Sequence, residues 1–228
     1  MHKIFLLITF FTLPLLADFF PSKVETTISS VVGNKITLKS TFPKNGMSGV
    51  IIHNYGSGIS AITSHVIQTS ARKAKLLEET TLLYHDKLPT INTNAKVGDK
   101  VIGGYLYQNV LLLAPNADTY SRIVSSHTKK WIHPDLFAVF ISAKGDAKAT
   151  KENLSEFSKK YQIGLIYIVR KNSAILFDPI SQKVISKKSI SSLPQEGDYP
   201  FFMRFDELDN SWFFKDEKGN YYDDMEQI

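Results

Sequence analysis

The 228-residue sequence contains no cysteine, and this absence removes several classes of function. Without a thiol there can be no disulfide framework, lipid-modified cysteine, cysteine nucleophile or Cys-ligated zinc or iron–sulfur site. Histidine is also scarce: six are present, and none forms the H-E-x-x-H zinc motif. The G-x-S-x-G motif of serine hydrolases is missing as well. We therefore expect a protein that is not an enzyme, with no catalytic residue and no cofactor. A metal site built from the scattered His53, His65 and His85 is an alternative that no spacing favours.

A long hydrophobic run is present only at the N-terminus. Residues 4–16 are almost wholly apolar, follow a positively charged start, and precede Ala17 and Asp18. This pattern is typical of a signal peptide with a small residue at its cleavage site. The run is shorter than the roughly 20 residues that a permanent membrane span needs. We therefore predict a signal peptide over residues 1–17. We also expect an exported protein, either periplasmic or at the cell surface or secreted, with no stable membrane span after cleavage.

Acidic residues are few outside the C-terminal segment. Residues 206–228 hold eight acids against two lysines, a formal charge of −6, whereas the whole chain carries +5. Because exported bacterial proteins rarely meet nucleic acid, the basic remainder is interpreted as a surface that faces the envelope or a protein partner. The alternative is an ordinary surface of solvated lysines that keep the protein soluble. We expect a protein partner and no nucleic acid.

The first half of the chain has a β pattern. Short β-branched runs at residues 26–32, 35–40, 49–54, 59–68 and 73–77 are separated by Gly, Asn and Pro. Gly33 and Asn34 both tolerate positive φ, so they predict a hairpin turn. Together these runs predict a small β-barrel-like domain over residues 18–107.

Residues 56–61 (Gly-Ser-Gly-Ile-Ser-Ala) fit the G-x-G-x-x-G/A dinucleotide fingerprint. A dinucleotide site requires a helix to begin at the second glycine, so that free N–H groups meet the pyrophosphate. The residues after Gly58 are instead rich in Ile, Val and Thr, which favour strands. We therefore predict a hairpin loop here rather than a nucleotide site.

The second half alternates between apolar runs and amphipathic segments, which predicts an α/β layer domain over residues 108–190. Buried strands are expected at 109–115, 136–142 and 165–170. Helices are expected at 116–127, with a capping-type start at Asn116 or Asp118, and from Thr150, which can cap the second helix, to Gly164. Two more strands follow, the last at a sheet edge. Residues 191–228 mix aromatics with acids and predict a docking segment with a hairpin that turns at residues 218–220. The fold class is therefore α+β: a barrel-like domain, an α/β layer domain and an aromatic, acidic hairpin.

Four segments resemble the N-terminal domain of bacterial plasminogen-binding proteins: residues 88–89 (Leu-Pro), 96–99 (Lys-Val-Gly-Asp), 112–116 (Leu-Leu-Ala-Pro-Asn) and 164–169 (Gly-Leu-Ile-Tyr-Ile-Val). The resemblance extends over about residues 25–190. These segments are structural, a turn and buried strands. The resemblance implies an exported envelope protein that captures host plasminogen, whose kringle modules recognise lysine by pairing its ammonium with carboxylates.

Longer members of this family carry Lys/Glu-rich C-terminal tails, whereas this sequence ends Glu226-Gln227-Ile228. We therefore expect any plasminogen binding to use internal lysines, of which the most clustered are Lys129, Lys130, Lys187 and Lys188. An alternative function is a periplasmic structural or assembly accessory of an envelope machine such as the flagellar motor.

Overall fold

The computed structural model describes residues 18–77, 93–146, 148–205 and 219–228, so the predicted signal peptide lies outside the described residues. The first described region consists of strands. Their bounds are Val24–Val32 for β1, Lys35–Leu38 for β2, Ser48–Gly56 for β3, Ile59–Ser70 for β4, Lys73–Leu76 for β5 and Lys100–Gly103 for β6. These strands close into an antiparallel barrel in the order β1-β2-β5-β4-β3-β6.

The barrel interior is filled by apolar side chains from every strand. Because successive side chains in a strand point to opposite faces, buried and more exposed residues alternate in β2, in β5 and in the middle of β1, whereas β3 and β6 bury consecutive residues. The inward positions include Ile28, Ile36, Ile51, Val66 and Val101. Their burial is the main stabilising contribution to this half of the molecule.

Two predicted hairpins are confirmed. β1 and β2 are joined at Gly33, which has φ +58°. β3 and β4 are joined through Gly56, Ser57 and Gly58, with φ of 87°, 51° and 78°. The residues after Gly58 continue as β4, so no helix N-terminus is available there for a phosphate. The glycines provide turn geometry, not a nucleotide site.

The second half forms a five-stranded sheet. Its strands are β7 (Asn109–Leu113), β8 (Lys130–Ile132), β9 (Leu165–Val169), β10 (Ser173–Asp178) and β11 (Lys183–Ser189). Their order is β11-β10-β9-β7-β8, with β7 parallel to both β8 and β9. β11 lies at the predicted edge. The α+β class, with a barrel followed by an α/β layer, is thereby confirmed.

Four helices in the described ranges cover the two faces of this sheet: α1 (Ala117–Ser126), α2 (Pro134–Ser142), α3 (Lys151–Tyr161) and α4 (Tyr221–Gln227). Ile123 of α1 packs in the cluster that continues into the barrel, whereas α2, α3 and α4 pack on the opposite face. The predicted caps are confirmed, since the side chains of Asn116 and Thr150 accept backbone N–H groups of α1 and α3. The end predicted for α3 was wrong: the left-handed residue after it is Gln162 (φ 55°), two residues before Gly164. None of these helices, in the residues described, is long and apolar enough to cross a membrane.

The strand predicted over residues 136–142 was wrong, because these residues belong to α2. The His133 side chain accepts the Asp135 N–H, and Pro134 occupies the first turn, where its missing N–H has no cost. Phe137, Ala138 and Ile141 then share one buried face. A short apolar run fits a buried strand and a buried helix equally well, and here the start signals favour the helix. The strand between α1 and α2 is instead the short β8.

The prediction of a C-terminal hairpin was also wrong for the part of it that the structure describes. Residues 219–228 contain α4, because the Asn220 side chain accepts the N–H groups of Tyr222 and Asp223 and so caps a helix where a strand was predicted. Tyr221 is fully buried, and its hydroxyl donates to the carbonyls of Leu113 and Val169. The first strand of that hairpin lies outside the described residues. The domain boundaries at 107 and 190 stay predictions.

A buried carboxylate joins the barrel to the sheet. Asp178, at the end of β10, accepts the Ser48 N–H of β3 at 2.8 Å and the Tyr107 hydroxyl at 2.6 Å through Oδ2. Its Oδ1 accepts the N–H groups of Ile180 and Ser181. Burial raises the pKa of Asp178, and the hydrogen bonds from its donors act in the opposite direction. The two halves of the molecule therefore share a polar contact inside one continuous apolar cluster.

Candidate interaction surface

The structure separates the two members of the predicted pair Lys129 and Lys130. Lys129 is half-buried, with its Nζ 4.6 Å from the ring centroid of Phe20, and it donates to the Tyr107 carbonyl at 3.4 Å. Burial lowers the pKa of Lys129, and the nearby Asp18 carboxylate partly opposes this shift. Lys130, the first residue of β8, is exposed. Only Lys130 has its ammonium freely available to a partner.

The second pair, Lys187 and Lys188, divides in the same way. Adjacent residues of β11 point to opposite faces of the sheet. Lys188 lies opposite Ala174, whose side chain faces the barrel, and Lys187 lies opposite Ile175, whose side chain faces α2, α3 and α4. The Nζ of Lys188 lies 4.4 Å from the Phe19 centroid and 5.5 Å from that of Tyr167. Burial lowers the pKa of Lys188, whereas Lys187 is exposed.

Lys129 and Lys188 meet at one aromatic cluster on the barrel side of the sheet. We define the aromatic cluster by its five rings: Phe19, Phe20, His127, Trp131 and Tyr167. An ammonium over a ring face is attracted by the ring quadrupole, so both lysines contribute to local packing. The exposed members, Lys130 and Lys187, lie on β8 and β11, the opposite edges of the sheet. The structure therefore does not bring these two together.

A second group of lysines, not predicted from the sequence, is brought together by the register of the barrel strands. Lys35 of β2 lies directly opposite Lys75 of β5, and Thr37 lies opposite Lys73. These residues face outward, because Ile36 and Ala74 between them point into the barrel. The signal in the sequence is the alternation of polar and apolar residues in 35–38 (Lys-Ile-Thr-Leu) and 73–76 (Lys-Ala-Lys-Leu), which places the lysines on the outer face. Their proximity depends on the pairing of β2 with β5.

These lysines line a groove of about 540 Å³ on the outer wall of the barrel. We call it the lysine groove and define it by three lysines and four hydroxyl residues: Lys35, Lys73, Lys75, Ser30, Thr37, Thr69 and Ser70. The Nζ of Lys73 donates to the Thr37 hydroxyl at 3.0 Å. Among the described residues that line the groove, none is acidic or aromatic. The groove is therefore a concave surface with three positive charges and several hydroxyls.

The histidines do not assemble a metal centre in the part of the chain that the structure describes, where no group of three or more His, Asp or Glu side chains converges. His53 Nδ1 lies 2.6 Å from Asp99 Oδ1, and the Asp99 carboxylate also accepts the Lys96 N–H. His65 is buried, and burial lowers its pKa to about 4. His85 lies outside the described residues.

Comparison with known proteins supports the resemblance noted from the sequence. Two relatives, both named Plasminogen-binding protein PgbA, come from Helicobacter pylori strains J99 and 26695 and are 31% and 30% identical over 124 residues. The matched region is 54% of this chain and 27% of each relative, so the chain spans about a quarter of the curated relatives it matches. Neither name refers to motility or envelope assembly, so the accessory function stays a prediction. No solved structure matches.

The family model described as "Plasminogen-binding protein pgbA N-terminal" matches residues 23–227. This match extends beyond the residues 25–190 expected from the resemblance and includes the C-terminal helix α4. Since it covers most of the sequence, the chain belongs to the family of N-terminal domains of plasminogen-binding protein PgbA.

Proposed function

We propose that this protein is an exported binding protein of the cell envelope that captures host plasminogen through exposed lysine side chains. The observation that carries the proposal is the family match over residues 23–227. The name of the two relatives refers to plasminogen binding, and the formal charge of +5 suits an acidic partner surface. The family is named for binding, which favours recognition over catalysis.

The chemistry of lysine recognition selects among the predicted residues. A carboxylate-lined pocket binds an ammonium through charge-assisted hydrogen bonds, so the lysine must extend into solvent before it binds. Lys130 and Lys187 meet this condition because both are exposed. Lys129 and Lys188 do not, because their ammonium groups are half-buried over the rings of Phe20 and Phe19. We propose Lys130 and Lys187 as contributors to capture.

The test is surface plasmon resonance of purified residues 18–228 over immobilised plasminogen. Saturable binding that the lysine analogue 6-aminohexanoic acid abolishes is expected. Absence of binding, or binding that the analogue does not reduce, would contradict the proposal.

A matched pair of double variants tests the residue choice. Lys130→Gln with Lys187→Gln is expected to weaken binding by about two- to fivefold, the range that one or two exposed charge pairs supply. The control, Lys129→Gln with Lys188→Gln, removes the same formal charge from the half-buried positions and is expected to bind as wild type. Equal effects of the two double variants would contradict the choice of Lys130 and Lys187.

Export is a separate part of the proposal. The full sequence expressed in a bacterial host is expected to lose residues 1–17, which N-terminal sequencing of the envelope fraction would detect as a start at Asp18. A chain that retains Met1 in the cytoplasm would contradict export, whatever the binding result.

A further inference from the structure

The lysine groove has the properties of a ligand site that the proposed function does not use. Its volume of about 540 Å³ lies within the range of small-molecule pockets, roughly 300 to 1,000 Å³. It is concave, so a ligand would enter it. A plasminogen module would instead draw a single extended lysine into a pocket of its own. The shape therefore indicates a compact ligand.

The charge of the groove indicates an anion. Lys35 and Lys75 are directly opposed cross-strand neighbours, an arrangement of like charges that destabilises a sheet. Glu25, an acid on β1, forms its ion pairs with Lys23 and Lys100, which lie outside the groove, so it does not neutralise the groove lysines. A ligand with two or more negative charges would relieve the repulsion between the lysines and gain charge-assisted hydrogen bonds.

The hydroxyl residues of the lining favour a sugar as this anion. Hydroxyls of Ser30, Thr37, Thr69 and Ser70 line the groove and match a ligand rich in hydroxyl groups. The barrel is closed, so β2 and β5 have no free edge to which an acidic peptide could add as a strand.

We propose that the lysine groove binds a small saccharide that carries two or more sulfate or phosphate groups. A neutral sugar would lack its usual platform, since no aromatic ring lines the described groove. Sulfated and phosphorylated sugars share the recognising chemistry and differ in source, so the experiment separates them. The inference is independent of plasminogen capture.

The experiment is isothermal titration calorimetry of residues 18–228 with three probes: a heparin-derived tetrasaccharide, glucose 1,6-bisphosphate and the neutral cellotetraose. At least one anionic probe is expected to bind, with an affinity that falls as salt rises, because salt screens exposed charges. The bound probe identifies the sulfated or the phosphorylated class. Binding of neither anionic probe, or equal binding of cellotetraose, would overturn the inference.

Variants locate the site. The triple variant Lys35→Gln, Lys73→Gln and Lys75→Gln is expected to lose about tenfold or more in affinity, since each lost charge pair contributes a few-fold. The control Lys96→Gln, Lys171→Gln and Lys183→Gln removes the same charge from exposed lysines outside the groove and should retain affinity. Equal losses in both triple variants would indicate a net-charge effect and overturn the site.

Two further measurements keep the result interpretable. The thermal midpoint of the groove variant is expected to equal or exceed that of wild type, because the repulsion between Lys35 and Lys75 is removed. A lower midpoint would contradict the role assigned to that repulsion. An acidic hexapeptide serves as competitor: if it binds more tightly than both sugars and loses affinity in the groove variant, the groove belongs to acidic peptides and the saccharide inference is overturned.

Discussion

His65 is a buried titratable side chain on β4. It is 2% exposed, and burial lowers its pKa from its usual value near 6.5 to about 4. The unfolded chain therefore takes up a proton on this imidazole at a higher pH than the folded chain does. Stability contributed by the neutral form is fully present above about pH 6.5 and is lost as the pH falls towards about 4.

The resulting prediction concerns the pH dependence of stability. Between pH 7.5 and pH 4, the free energy of unfolding of wild type should fall by about 3 kcal/mol more than that of His65→Gln, which has no proton to bind at this position. Urea unfolding at a series of pH values measures both proteins. The pKa of His133 is also lowered by burial, but that residue is present in both proteins and its contribution cancels. Parallel pH profiles would show that His65 does not titrate as described.

The lysines show what a residue-level reading of the sequence can predict. Adjacency in the sequence selected the pairs 129–130 and 187–188, but neighbours in or beside a strand point to opposite faces, and each pair is divided. Lys35 and Lys75 are 40 positions apart and meet through strand pairing. Outward alternation was visible in the sequence, whereas the partner strand was not. Long-range register is the information that a single sequence does not contain.

At the scale of elements, prediction succeeded where local chemistry is decisive. The glycine turns at 33 and 56–58 and the side-chain caps of α1 and α3 are local devices, and each was recognised. The strand over 136–142 was wrong because apolar composition alone does not separate a strand from a buried helix. Pro134 and Asp135 were the local signals that could have corrected it.

The segment 18–23 before β1 is an element without regular structure that nevertheless completes the core. Phe20 is 7% exposed and contacts the rings of His127, Trp131 and Tyr167, with centroid distances of 5.1, 6.4 and 6.1 Å. Phe20→Ala should therefore reduce the free energy of unfolding by about 3 kcal/mol, since truncation of a buried Phe leaves a cavity. Urea unfolding followed by circular dichroism measures the loss.

Phe19→Ala is the matched control for this segment. Phe19 is only partly buried, so its truncation should cost less than that of Phe20. Loss of the Phe20 ring should also raise the pKa of Lys129 towards its usual value, because the burial that lowers it is reduced. Equal stability of wild type and Phe20→Ala would show that the segment does not pack on the sheet in solution.

At the scale of the whole molecule, the barrel and the α/β layer were both predicted, and their junction was not. The class of each half follows from hydrophobic periodicity. The junction depends on three residues far apart in the chain, Ser48, Tyr107 and Asp178, and none belongs to a recognisable motif. Gly164 contributes as well, since a Cβ there would lie 2.4 Å from the carbonyl oxygen of Leu106. Such contacts become visible only when the two halves are assembled.

Asp178→Asn tests whether this junction holds the two halves in one cooperative unit. The asparagine amide keeps one acceptor oxygen, but its NH₂ group replaces the other oxygen and cannot accept a hydrogen bond. At least one of the buried N–H or O–H donors that now bond to the carboxylate therefore loses its acceptor. The free energy of unfolding should fall by about 2 to 4 kcal/mol, the cost of an unsatisfied buried group that was bonded to a charge. Tyr107→Phe removes a single donor and leaves the other three, so its cost should be about 1 kcal/mol.

Tryptophan fluorescence and far-ultraviolet circular dichroism are recorded through the same urea titration. Together they measure the free energy of unfolding and show whether the two halves unfold in one transition. With Trp212 replaced by Phe in every protein compared, Trp131 in the sheet supplies the fluorescence, whereas the circular dichroism signal includes the barrel, so coincident transitions in the protein with native Asp178 would indicate that both halves unfold together. In Asp178→Asn the fluorescence transition should separate from the circular dichroism transition, because the polar contact between the halves is lost while the sheet keeps the apolar cluster on its α2, α3 and α4 face, to which no described barrel residue belongs. If the variant unfolds with coincident transitions at the wild-type midpoint, apolar packing alone joins the halves, and the buried carboxylate has no role in their assembly.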